Sequence, residues 1–372
     1  MQVSDVLRLR LRQQHLTHST YTDPALVVEW MGAMQAQDYA MVKWALGLRM
    51  RPGPEGIPNT DAVLERTLDD GAILRTHVLR PTWHIVHPTD LRWMLELTGP
   101  SVKKSQASYA RKLELEPTVL SKSHTLICNE LAHQRYCTRQ ELKSVLTRHG
   151  IETDVQRLAY LIMWAELDGL ICSGPRRGKQ FTYALLSERV PETAPMHREE
   201  ARALLAEKYF RSHGPAKLKD FAWWSGLSMR DVQQATQSIQ HKLSQTVVNG
   251  ETFWHTVDLP TAETTPLYDT FLLSIYDEYT IAYKDRSLLS DADGAKRLYS
   301  LGNDLTAVMV RHGRVVGTWK RNVTKSRVEV QLRPFKPLSS DDRGQFSEAA
   351  ERLGRFLELS SVLTVDAPLD GP

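Results

Sequence analysis

GLICSGPRRGKQFTYALL, residues 169–186, decides how this chain is built. Two short apolar runs, GLICS and FTYALL, flank GPRRGKQ, whose glycines and proline make a turn with a basic tip. Upstream of it the sequence signals three helices. Ser123 to His133 reads as the first. Thr138 then stands as an N-cap with Glu141 three residues on, a capping box, and RHG ends the second helix at Gly150. From about Thr153 a third carries Val155, Leu158, Ala159, Ile162 and Ala165 on one face. Three helices followed by a hairpin form the winged-helix pattern, a variant of helix-turn-helix.

The same order returns on both sides. Downstream, His197 to Phe210 reads as a helix. GPAKLKDFAWWSG gives a short one entered by Pro215 and closed by Gly226, SMRDVQQATQSI one capped by Ser228, and SQTVVNGETFWHTV a hairpin turning at Asn249-Gly250. Upstream, Val3–Gln14, Pro24–Met34, Met41–Leu48 and Asp61–Leu68 read as helices. They precede the strands of AILRTHVLRPTWHIV and a helix in PTDLRWMLELT. The last third is β-rich, with a turn at His312-Gly313 and a helix in DDRGQFSEAAERLGRFLEL. The expected fold class is therefore α+β. Tandem winged-helix units span 1–118, 119–192 and 193–257, and a barrel-like β-rich unit spans 258–372.

At 372 residues the chain exceeds one small domain. A charged fraction of 24% and a net charge of +3 are ordinary for a globular protein, so any nucleic-acid contact must come from local clusters. Three cysteines without a CxxC pair give neither a disulfide framework nor a zinc site, and suit a reducing cytoplasm. No apolar run reaches the ~20 residues of a membrane span. A monomer is the simplest expectation.

Several familiar sites fail. GPRRGKQ is not a phosphate loop, because its first glycine comes one residue too late and Gln180 stands where Ser or Thr would hold magnesium. The scattered histidines support no metal site, and no cofactor motif is present. What remains is basic or amide-rich. Arg176, Arg177 and Lys179 at the wing tip suit phosphate contact, against the plainer reading of a solvated turn. In LRPTWHIVHP an extended strand puts Arg80, Thr82 and His84 on one face, suited to lining a cleft where Arg80 and His84 contact DNA, with Trp83 packed behind and His87 merely hydrogen-bonded. Asp277 and Glu278, in YDEYTIAYKDR, can do acid–base work but fit better as anchors for arginines at a domain boundary.

MQAQDYA, residues 34–40, sets Gln35 and Gln37 one residue apart. On a helix their side chains diverge by about 200°. Where a helix end runs into an extended turn they share a face, and Ala36 packs inward. Two amide carbonyls aimed at one point can hold and orient a water. The plain alternative is two surface glutamines. Asp38, next in line, faces the other way in an extended run.

With LRPTWHIVHPTDLRW, YDEYTIAYKDR and RHGRVVGTWKR, the MQAQDYA…WALGLR segment resembles the AlkZ-type winged-helix DNA glycosylases, the bacterial family that includes YcaQ. The matches run in order from about residue 30 to about residue 320. Gln35-Ala36-Gln37 is similar to the Gln-apolar-Gln signature of the AlkZ branch, which implies that both glutamines are catalytic. The resemblance further implies three winged helices and a β-barrel arranged as a C around double-stranded DNA. It also implies hydrolysis of N7-alkylated purines, with bulky natural-product adducts and interstrand crosslinks as substrates of some relatives. The chemistry agrees: a cationic base leaves as a neutral molecule, so amides suffice and no general acid is required. A bulky adduct resists extrusion from the helix, which favours an open site without base flipping. Lys43 is the one lysine near the pair, and nothing in the sequence marks it for Schiff-base chemistry. The competing expectation is a winged-helix transcription regulator, and a third is a protein-binding scaffold.

Overall fold

The computed structural model describes residues 1–51, 59–133, 135–258, 269–291, 294, 296 and 306–368. Part of the expected C-terminal unit, residues 259–268, 292, 293, 295, 297–305 and 369–372, lies outside them.

Helix α1 (Val3–Gln13) opens the chain. Helix α2 (Pro24–Met31) starts on the Asp23 carboxylate, which accepts the Ala25 N–H, with Pro24 in its first turn. It ends three residues earlier than the sequence suggests. Gly32 takes a left-handed φ of +77° and stops it. Met34 and Gln35 therefore sit not on a helix end but on strand β1 (Ala33–Gln35). Helices α3 (Tyr39–Leu48) and α4 (Asp61–Asp69) and strands β2 (Leu74–Val78) and β3 (Arg80–Val86) follow. In the sheet β3 lies between β1 and β2, antiparallel to both.

Helix α5 (Pro88–Lys112) is twice the expected length, and Leu91, Trp93, Met94, Leu97 and Val102 on its buried side carry it past Pro100. The second unit then repeats the first. Helix α6 (Pro117–Leu131), strand β4 (Cys137–Thr138), helices α7 (Arg139–Arg148) and α8 (Val155–Leu167), and strands β5 (Ile171–Ser173) and β6 (Thr182–Leu185) come in the same order. The sheet order β4-β6-β5 matches β1-β3-β2. The Thr138–Glu141 capping box forms as expected. Val155 does not join the apolar face of α8; it is exposed, in the helix's first turn.

After the short α9 (Leu186–Arg189) the pattern comes a third time, in α10 (Arg198–His213), α11 (Leu218–Ser225), α12 (Met229–Ser238), β7 (Leu243–Val248) and β8 (Glu251–Thr256). Here the first strand shrinks to a bridge between Ala216 and Trp254. Pro215 does not enter α11. Lys217 caps that helix, and the Pro215 carbonyl accepts from Arg10 Nε at 2.9 Å. Asn249 and Gly250, both at positive φ, close the hairpin as expected.

Strand β9 (Thr270–Leu273), helix α13 (Glu278–Ile281), strands β10 (Val308–Arg311), β11 (Arg314–Val323) and β12 (Arg327–Pro334), helix α14 (Ser340–Leu357) and strand β13 (Ser360–Val365) complete the chain. The sheet β13-β12-β11-β10-β9 is curled into a half-barrel, its β12–β13 pair parallel and the others antiparallel. Val328, Val330 and Leu332 alternate inward from β12 and meet Phe346, Leu353 and Phe356 of α14. The same cluster takes in Val27, Val28, Trp44 and Leu46 of the first unit. The start and the end of the chain thus share one core. Among the described residues no helix is long and apolar enough to cross a membrane.

Candidate active site

Gln35 is the last residue of β1, opposite His84 on β3. Burial alternates along the segment: Gln35 half-buried, Ala36 buried, Gln37 exposed. Ala36 is pinned by its own N–H, donating to Trp83 O at 2.7 Å, and by Arg75 Nε, donating to Ala36 O at 3.0 Å. Asp38 is the N-cap of α3 and accepts the Met41 N–H at 3.0 Å. It occupies the place that Thr138 holds in the second unit, which gives its carboxylate a structural task. Lys43 is buried and paired with Asp61 and Glu65 at 2.7 and 2.6 Å.

Gln35 is held at both ends. Its N–H donates to Glu278 Oε1 at 2.7 Å, and its side-chain Oε1 accepts from Arg80 Nη2 at 2.9 Å. The other Arg80 nitrogen, Nη1, reaches Trp223 O at 3.3 Å. Glu278 Oε2 accepts from Trp224 Nε1 at 2.9 Å and lies 3.4 Å from His213 Nε2. Burial pushes the Glu278 carboxyl up, but His213, Arg80 and the Gln35 N–H outweigh it and hold it below the ordinary glutamate range. Burial pushes His213 down, against the pull of Glu278.

The sequence pointed to Gln35, Gln37, Arg80, Asp277 and Glu278 but not to their pairing. Asp277 anchors an arginine, gripping Arg49 through two bonds of 2.9 and 2.7 Å. Glu278 instead seats the Gln35 main chain, 243 residues away in sequence. No local pattern encodes that bond, nor those of Arg75 and Trp224.

His84 departs from the expectation of a DNA contact. Its ring is fully buried, with Nδ1 donating to Thr82 O at 2.9 Å. Burial and then the Arg80 charge push its pKa down to about 3, Glu278 opposing. β3 pairs with β1 and β2 on its two edges, so His84 lies between Gln35 and Thr76 on one face, and there His84 and Thr76 are fully buried while Gln35 is half-buried. Trp83 on the opposite face lines a cleft instead, 4.3 Å from the Arg75 guanidinium.

That cleft, of about 550 Å³, is lined by Arg75, Trp83, Arg139, Lys143, Lys179 and Phe181 among others, and Arg75 and Trp83 are the two residues that bond the Ala36 main chain. The wing cations divide. Lys179 is exposed at its rim. Arg177 is exposed but paired with Glu141 at 2.7 Å and the Tyr136 carbonyl at 2.6 Å. Arg176 is half-buried between the first two units. Its N–H donates to Asp69 at 2.7 Å, its Nη1 to Glu65 at 3.3 Å, and it sits over the rings of Tyr39 and Phe181. Arg176 is therefore committed to unit packing, which the sequence did not reveal. Among the described residues no three His, Cys, Asp or Glu side chains group as metal ligands.

Set beside known proteins, the chain matches the family model described as DNA glycosylase AlkZ-like over residues 28–356. The interstrand DNA cross-link repair glycosylase of Streptomyces sahachiroi is 24% identical over 347 residues, covering 85% of this chain and 86% of that protein. The solved structure of Streptomyces sahachiroi DNA glycosylase AlkZ overlays with a TM-score of 0.79 at 20% identity, covering 98% of this chain and 100% of that one.

Proposed function

Because the chain belongs to the AlkZ-like DNA glycosylase family, a membership that sets aside the regulator and scaffold readings, we propose that it hydrolyses cationic N7-alkylated purines from duplex DNA with Gln35 and Gln37 as its catalytic residues. The observation that supports this most is the fixing of Gln35 from both sides beside an exposed Gln37. A fixed neutral amide thereby stands two residues from an exposed one, while Asp38, Lys43 and His84 are engaged elsewhere. Asp38 caps a helix, Lys43 is paired, and His84 is buried and neutral.

The chemistry asks for little more. Alkylation at N7 makes the base a cation, so the C1′–N9 bond breaks with its electron pair returning to the base, which departs neutral. The sugar becomes oxocarbenium-like, water attacks C1′, and the proton goes to solvent. The free lone pair of Gln35 Oε1 and the carbonyl of Gln37 orient that water. Arg80 fixes the Gln35 amide, and the Glu278 carboxylate nearby offsets its charge where a cation must develop. Arg80, Lys179 and Arg177 meet phosphates, and Arg176 and His84 support the site from within. The related enzyme's repair of interstrand cross-links extends the proposed substrates to bulky adducts. The proposed organisation keeps winged-helix units at 1–118, 119–192 and 193–257, the α+β unit at 258–372, a monomer and a cytoplasmic location.

A duplex with one N7-methylguanine, scored for abasic sites after heat or alkali, tests the proposal. Wild type is expected to release the base and to leave a uracil duplex intact. Gln35→Ala with Gln37→Ala is expected to slow release at least about 100-fold, with duplex Kd within about threefold. Undiminished release by the double variant, or equal release of uracil, would overturn it.

A further inference from the structure

The consecutive tryptophans of α11 point about 100° apart, one inward and one outward, and each is tied to the Gln35 site. Trp224 is fully buried, and its indole N–H holds Glu278. Trp223 is 46% exposed, the most exposed of the chain's nine tryptophans. Its indole is not loose. Nε1 donates to Ile281 O at 3.0 Å, at the C-terminal end of α13, whose first residue is Glu278. Its main-chain carbonyl accepts from Arg80 at 3.3 Å, while the other arm of that guanidinium grips Gln35. One guanidinium therefore links the main chain of an exposed tryptophan to the candidate catalytic amide. A second cation, Arg286, lies close enough to Arg80 to act on it electrostatically and donates to Thr280 O at 2.9 Å.

An exposed tryptophan has a cost in water that packing here recovers only in part, and a polar tether orients its ring. An exposed aromatic ring with guanidinium groups on neighbouring elements is the chemistry that binds a nucleobase plane beside its phosphate. Simple duplex contact needs the cations alone. A stacking platform is useful where a base loses its neighbour, as happens next to a purine that is leaving.

We propose that Trp223 stacks on the nucleobase adjoining the lesion and so holds the damaged nucleotide in register with Gln35. The inference rests on the glycosylase reading of the Gln35 site and adds a substrate contact to it. Trp223 places the DNA; Gln35 and Gln37 place the water. As the alkylated purine moves off its neighbour, the indole takes over that neighbour's stacking, so the platform matters more at the transition state than in the initial complex.

Two measurements on the full chain test this. The first is single-turnover release of N7-methylguanine from duplex DNA by wild type, Trp223→Ala and Trp223→Phe. The second is binding to a duplex with a tetrahydrofuran abasic analogue next to 2-aminopurine, whose emission reports stacking of its ring. Trp223→Ala is expected to slow release about 10- to 100-fold and to abolish the emission change. Trp223→Phe keeps an aromatic face but cannot donate to Ile281 O, and is expected to stay within about threefold of wild type in both. An emission change that survives Trp223→Ala overturns the inference. So does Trp223→Phe failing as badly as Trp223→Ala, because the tether and not the face would then be what matters. If wild type releases no methylguanine but the emission change depends on Trp223, the substrate reading falls and the stacking role stands.

Discussion

Gln35 shows how much of this site is made by single contacts. A glutamine at a strand end is free to turn, and rotamer freedom would blunt any aim it has. The Glu278 bond to its N–H and the Arg80 bond to its Oε1 remove that freedom. The same cluster has a cost, which His84 makes measurable. The folded state depresses its pKa to about 3 from the ordinary 6.5. Below pH 6.5 the unfolded chain therefore takes up a proton that the folded chain does not. The stability is fully present above pH 6.5 and drains away as pH falls toward 3. By pH 5 the loss is about 2 kcal/mol. Urea midpoints at pH 7.5 and 5 should show that fall in wild type, and a smaller one in His84→Asn, where the pH sensitivity of His213 remains. Equal falls in both proteins would refute the assignment.

At the scale of elements, the turn between β2 and β3 aims Arg80. Leu79, a buried residue, sits there at a left-handed φ of 58°. Its carbonyl lies against Gly226, the left-handed C-cap of α11. A Cβ on Gly226 would stand 2.4 Å from Leu79 O. Gly226→Ala should therefore combine backbone strain with a clash and lower stability by about 2 kcal/mol. It should also slow excision by shifting Arg80. Gly250→Ala is the control, since its φ of +78° is similar but a Cβ there meets nothing within 4 Å. It should cost only the strain, about 1 kcal/mol, and leave excision unchanged. Denaturation curves and single-turnover rates of both variants decide this. The sequence announced Gly226 as a helix stop and gave no hint that the stop also supports a turn of another unit.

Over the whole molecule, the first and last parts of the chain are joined through charge as well as through their shared core. Arg49, at the end of α3, and Asp277, before α13, have wholly buried side chains and pair at 2.7 Å. Gln14 adds an acceptor to Arg49 at 3.0 Å. Asp277→Ala strands a guanidinium in the interior, and a loss of about 3–5 kcal/mol is expected from urea unfolding at neutral pH. Replacing both partners with apolar residues, Arg49→Met and Asp277→Leu, should lose less than that single change, because no charge is left without its partner. A double variant weaker than Asp277→Ala would argue against the pair as the cause. Since Glu278 follows Asp277 directly, this anchor also sets where the Gln35 clamp sits.

Local sequence determined the helices, hairpins and caps: Thr138 with Glu141, Ser228, the Asn249-Gly250 turn and the alternation along β12 are rules of a few residues, obeyed because backbone hydrogen bonds and side-chain periodicity act over that range. The Gln-Ala-Gln spacing was likewise plain to read. Only the tertiary structure decided that β1 ends at Gln35, that His84 turns inward, that Arg176 is taken up between units, and that Glu278, Arg80 and Trp223 gather around one amide. Those contacts join residues far apart in the chain. Their energies depend on burial, and burial exists only once the units have packed together.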